Sequence, residues 1–381
     1  MYRKYWLFEM KLLLRQRKNW FLGLFLLLFF PIFFLVESRE EPVSLESQKH
    51  YEANMLVAIF QQFPETEREN PEGAAIYNNL TEQASLVNYQ LYYLSEGRHE
   101  DYVENGLMLN ELRLELHEMG NKWIPEHLVY PREETLKEEA LLSYIQANDL
   151  PLEPESTGAT HYLVAGLGAM SGVVFYMFVL LAGSEILVFD QRHRTVVSDF
   201  PISFFKKISA KISGMFLYIA GCLLLGLGLG FWVASSESGS GNFSYPVLLY
   251  WDGGFEAVST MEYLLYALGL MMLVMLLGLI VSVLLNQLFR NAYANVLIGL
   301  GLFLLPDLLM GAGVGASFLQ LIKYVDFAGV LDGDLAIQLG ADGLDVQHVA
   351  LWLALMILLF ALVIFMINKL TYTSGRKVRD A

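Results

Sequence analysis

Residues Glu185 to Lys211 read EILVFDQRHRTVVSDFPISFFKKISAK and join two long apolar segments. Five of them are basic, Arg192, Arg194, Lys206, Lys207 and Lys211, and Pro201 interrupts the run. Proline removes a backbone donor and fixes φ, so no unbroken helix is expected through it. A cationic strap between two apolar runs is the pattern of a loop kept on the cytoplasmic side of a membrane.

The composition agrees with that reading. The chain is 55% hydrophobic and 17% charged, with a mean hydropathy of +0.42, whereas soluble domains carry about 25% charged residues. A net charge of −15 argues against nucleic acid as a partner. One cysteine, Cys222, excludes a disulfide within the chain and reads as a small core residue.

Outward from the strap (190–211), the second and third spans are 162–189 and 212–234. The others are 20–36, 261–285, 294–322 and 349–367. Runs of this length cross about 30 Å of hydrocarbon at about 1.5 Å per residue, and only helices satisfy their own backbone there. The expected fold is therefore all-α and polytopic, with six transmembrane helices. Before the first span, residues 1–19 place Trp6, Met10, Leu13 and Leu14 on one helical face among Arg3, Lys4, Lys11, Arg15, Arg17 and Lys18. That predicts an amphipathic helix in the interface, apolar side in the acyl chains.

Basic residues fall in the first twenty positions, the strap, the turn holding Arg290 and the tail 368–381. The 235–260 loop and residues 323–348 are acidic. This alternation predicts both termini on the cytoplasmic side. It also puts the acidic segment 37–161 outside. There, stripes at helical spacing predict a small four-helix bundle: Tyr51, Met55, Ile59 and Phe63; Tyr77, Leu80, Ala84, Val87, Leu91 and Leu94; Leu109, Leu112, Leu116 and Met119; and Leu136, Leu141 and Tyr144.

Catalytic patterns are missing. The sequence holds no phosphate-binding loop, no His-Glu-x-x-His and no Gly-x-Ser-x-Gly. No catalytic, cofactor or metal residues are expected, and the chain is not read as an enzyme. Gly226, Gly228 and Gly230 lie mid-span, where close helix packing explains them better than a nucleotide. Pro306-Asp307 interrupts the fifth span, and an ionisable group there faces a cavity or a partner. Two readings stay open: Asp307 lines a translocation path bent at Pro306, or the span ends near Pro306. The spans are otherwise almost free of charge, which weighs against an ion-coupled transporter.

This layout resembles the permease subunit of bacterial ABC-2 type (type V) ABC transporters over nearly the whole chain. The shared features are an amphipathic helix, a large outer domain between spans one and two, a cytoplasmic coupling segment between two and three, and an outer, re-entrant region before span six. The family's coupling pattern is matched by Asp190, Arg192 and Arg194, then Thr195, then Pro201-Ile202-Ser203, with Lys211 ten residues after Pro201. This chain lacks a Gly before Thr195. The resemblance implies an exporter in the plasma membrane, paired as a homodimer or with a second permease, and driven by a separate ABC ATPase that grips Asp190, Arg192, Arg194, Thr195, Pro201, Ser203 and Lys211. The competing reading is a membrane sensor or scaffold whose outer bundle binds a ligand or partner.

Overall fold

The computed structural model describes residues 1–39, 44–153, 158–188, 190, 201–289, 291–312, 317–340 and 344–379, without the side chains of 307, 310, 311, 317–320 and 370–379. Arg192, Arg194 and Thr195 lie outside these residues. The chain divides into two units: 1–37, 162–237 and 264–381 form one, and 38–161 with 238–263 form the other.

The polar unit contains α3 (Leu45–Gln62), α4 (Pro71–Ser95), α5 (His99–Glu118) and α6 (Arg132–Ala147), the four expected helices. Their starts are set by side chains: Ser44 accepts from the Ser47 amide, and Asn70 caps α4 ahead of Pro71. Leu56, Ile59, Phe63, Ile76, Leu80, Val87, Leu109 and Leu116 form one buried cluster.

The expected stripes of α4 and α5 face this core, whereas the start of the α3 stripe and the α6 stripe are rotated from expectation. Tyr51 is exposed, whereas Lys49 and Glu52 are buried in α3, and in α6 Leu142 and Ile145 are buried. The cause is a charged core. Arg113 donates to Glu52 (2.6 Å) and Glu138 (2.9 Å), and Lys49 donates to Glu138 (2.7 Å) and Glu52 (3.1 Å). The Arg113 guanidinium also lies 3.8 Å from the centre of the Tyr130 ring.

A second difference lies in the 235–260 loop, which carries an antiparallel hairpin. Strand β1 (Pro246–Trp251) pairs with β2 (Gly254–Ser259), Pro246 opposite Ser259 and Trp251 opposite Gly254. Asp252 and Gly253 both have positive φ, 47° and 80°, as a two-residue turn of this hand requires. The hairpin packs on α6, and Tyr245 joins a cluster with Tyr102, Val103, Leu142 and Ile145.

The apolar unit begins with α1 (Tyr2–Arg15) and α2 (Arg17–Glu37). It continues through α7 (Ala159–Met170), whose first residues belong to the polar unit, and α8 (Val173–Gly183). Then come α9 (Phe204–Ser238), α10 (Thr260–Phe289), α11 (Ala292–Gly311), the short α12 (Phe327–Leu331) and α13 (Asp334–Leu339), and α14 (Val346–Arg379). Among the described residues, four helices are long and apolar enough to cross a membrane: α2, α9, α10 and residues Val346–Lys369 of α14. The α7–α8 pair, bent by 64°, makes a fifth if counted as one span. The chain is an all-α membrane protein with a small hairpin.

The expected third span starts earlier, at Phe204, because Ile208 is buried with Ile186, Leu187, Ile280 and Ile364. The glycines of this helix divide their work. Gly226 sits on the Leu26 carbonyl and Gly230 on Phe30, letting α9 approach α2 closely, while Gly228 faces open space.

The break between α7 and α8, within the expected second span, falls at Ser171-Gly172. Gly172 has φ 61° and ψ −131°, a region open essentially to glycine alone. The Ser171 hydroxyl donates to Asp326 (2.8 Å) and accepts from the Ala328 amide (2.9 Å), which ties the break to the start of α12. Gly172→Ala is expected to cost about 1–3 kcal/mol. It should lower the unfolding temperature of the purified protein, whereas Gly168→Ala, with no atom near the new methyl, should leave it unchanged.

Candidate functional site

The strap enters from the C-terminus of α8, whose last carbonyls have no partner within the helix and favour cations or amides. Three elements supply them. Lys18 of α2 donates to the Ser184 hydroxyl (3.2 Å) and the Ala182 carbonyl (3.5 Å), and lies 3.7 Å from Glu185. Asn286 of α10 donates to the Gly183 carbonyl (3.4 Å), and Asn295 of α11 to that of Ser184 (3.1 Å). Both asparagines are buried. The end of α8 is thus held by α2, α10 and α11.

Beyond this clamp the two described ends of the strap meet. Lys211 donates to Glu9 at 2.8 Å and pairs with Asp190 at 2.9 Å. Lys211 is 6% exposed and Glu9 8%, so neither charge is carried by water. The Tyr5 hydroxyl, fully buried, is hydrogen-bonded to Glu9; burial and that carboxylate hold its pKa well above the ordinary phenol value. Burial also pushes the Asp190 carboxyl up, with Lys211 opposing. Two acids share Lys211, and Lys207 adds a second, weaker positive influence on Asp190.

Helix α1 is laid along the base of α9 by the same face. Tyr2, Tyr5, Trp6 and Glu9 recur at helical spacing. Trp6 donates to Ser213 at 3.1 Å, and the Tyr2 and Ser209 hydroxyls are 3.3 Å apart. Met10 touches Gly214, and Leu13 is buried while Leu14 is exposed. The apolar face expected in the acyl chains is therefore divided: Trp6, Met10 and Leu13 pack on protein, because Glu9 must reach Lys211. Asn19 closes the junction, donating to the Leu13 carbonyl (2.9 Å) past the end of α1. A cavity of ≈ 40 Å³ remains between Glu9, Gln16, Asn19, Lys211 and Met215.

Of the residues singled out in the sequence, Asp190 and Lys211 are brought together. Pro201 and Ser203 are exposed just before α9, and the Ser203 carbonyl accepts from the Lys207 amide (3.1 Å). Pro306 is buried inside α11, which continues beyond it to Gly311. Asp307 lies in that helix, its side chain outside the described residues.

Neither a family model, nor a curated protein, nor a solved structure matches this chain. The site rests on its geometry. Among the described residues no three metal-ligating side chains cluster. Sequence reasoning missed Glu9, Lys18, Asn286 and Asn295. Glu9 had a signal, being the lone acid in the basic first 36 residues; the asparagines had one in being polar within apolar runs.

Proposed function

We propose that the chain is the permease subunit of an ATP-driven exporter of the ABC-2 type, coupled through residues 190–211 to a separate ATPase. The observation that carries this reading is the Glu9–Lys211–Asp190 cluster. It closes the strap at its base and ties it to α1, to the end of α8 and to the start of α9. A push on the strap therefore acts on two spans and the N-terminal helix together. An ordinary connecting loop needs no such buried anchor, since taking charges out of water costs several kcal/mol per ion.

The hairpin supports the topology. It packs on α6, so residues 132–147 and 246–259 share one aqueous side. The chain between them makes an even number of crossings, one by α7 with α8 and one by α9. The strap then lies on the opposite, cytoplasmic face, with both termini. The reading has six spans, with α11 and the 3-10 helix Ser317–Val325 serving as the fifth and α12 and α13 forming the re-entrant region. Two such permeases pair, as a homodimer or a heterodimer, in a bacterial plasma membrane, and ATP is hydrolysed on the partner chain.

The test is co-expression with the product of an adjacent gene that carries a phosphate-binding loop and no spans. The pair is expected to co-purify and to hydrolyse ATP in lipid. Arg192→Glu with Arg194→Glu should abolish co-purification while leaving the chain folded. Unaltered co-purification would remove the strap as the docking contact. No ATPase bound to the native chain would leave the sensor or scaffold reading.

A further inference from the structure

Between α9, α10 and α14 the apolar unit carries an open groove of ≈ 530 Å³, lined by Phe205, Ile208, Ile212, Phe216, Ile280 and Ile364. That volume lies within the roughly 300–1,000 Å³ of ligand sites. Its only hydroxyls are at one edge: Ser209, against Tyr2, and Ser213, which accepts from Trp6. Tyrosine and tryptophan collect at the level of lipid headgroups, so this edge marks where the groove meets the interface. The same edge is cationic. Lys206 lies one helical turn before Ser209, and Arg3 follows Tyr2; both are exposed.

We propose that the groove is a binding site for one anionic phospholipid, its acyl chain against Ile208, Ile212 and Ile280 and its headgroup at Lys206 and Arg3. An apolar slot with a one-sided cationic mouth matches that chemistry at both ends, whereas in a zwitterionic lipid the ammonium offsets much of what the phosphate gains from the cations. The assignment depends on the chain being embedded in a membrane and not on what it transports. The lipid bridges α9 to α14 and lies beside α1, so it stiffens the helices that carry Glu9 and Lys211.

The experiment reconstitutes the full chain in vesicles doped with phosphatidylglycerol or phosphatidylcholine bearing a photoreactive acyl tail, and maps the adducts by peptide mass spectrometry. Adducts are expected in 205–216, 276–280 and 361–364, favouring phosphatidylglycerol. Lys206→Gln should lower that preference about five-fold, the value of one cation near an anionic lipid, with phosphatidylcholine adducts unchanged. Ala361→Phe, at an exposed lining position, should fill the groove and remove adducts with either lipid, and Ile212→Trp provides a second filling variant. Adducts spread equally over the exposed Leu224–Leu225 surface of α9, or no preference between the lipids, would overturn the proposal. So would efficient cross-linking of Ser209→Cys between two copies, which would make the groove a self-interface.

Discussion

Lys211→Met is expected to destabilise the apolar unit by about 3 kcal/mol, because it leaves the buried carboxylate of Glu9 without its cation and takes the closest one from the half-buried Asp190. A fall in the unfolding temperature of the full chain in micelles measures it. Glu9→Gln should cost less, since Lys211 keeps Asp190. The pH dependence of the variant has a definite sign. Burial raises the folded Asp190 carboxyl above its ordinary 3.8, with Lys211 the main opposing charge and Lys207 a smaller one; without Lys211 the upward shift grows. The folded variant then binds a proton that the unfolded chain has released, so its stability falls as pH rises through that window. The gap between Lys211→Met and the native chain should narrow on acidification. Equal unfolding temperatures at neutral pH would show that the cluster does not hold the junction. Under the proposed function, a variant that still folds should keep its ATPase bound but lose export, because the strap is then gripped without being anchored.

Arg113→Leu is expected to cost about 3–5 kcal/mol in the polar unit, since Glu52 and Glu138 lose a buried partner and Tyr130 its cation. Hydrogen exchange of α3, α5 and α6 in the full chain reads this directly. Replacing Lys49, Glu52, Arg113 and Glu138 together by apolar residues should recover most of the loss, since buried ion networks replaced whole are often neutral. Burial pushes the Glu138 carboxyl up, but Lys49 and Arg113 together hold it below 4.5. Its stabilisation is therefore complete above 4.5 and lost as pH falls through the lower folded value. Exchange protection in α6 should hold to below pH 4.5 and then collapse. Loss of protection well above that value would mean the network is not ionised as drawn.

The long apolar helices and the four polar-unit helices were legible because hydropathy and a 3.6-residue period act locally. What escaped was decided by contacts distant in sequence. Tyr51 sits at a good apolar position of α3, but Lys49 and Glu52 take the core face to meet Arg113 and Glu138. The break at Ser171-Gly172 lies in an apolar run, and its cause, Asp326, is far along the chain. The hairpin is a different case. Asp252-Gly253 is a strong two-residue turn signal, but Val247-Leu248-Leu249-Tyr250 does not alternate, so the strands were hidden by burial against α6. At the candidate site, Lys211 stood out by charge, while its tie to Glu9 was invisible because 202 residues separate them.

The polar unit is completed by residues made after the third span. While the ribosome extends the chain, α3 to α6 emerge with the α6 surface that will receive β1 and β2 still bare. At about 5–20 residues per second, the ~100 residues from Ala147 to Pro246 take about 5–20 s to synthesise. Under the proposed topology, the half-built unit waits through that interval on the far side of the membrane for a piece still to be threaded across. Premature docking on another copy's hairpin is the hazard this gene order creates, and a chaperone on the receiving side is the natural remedy.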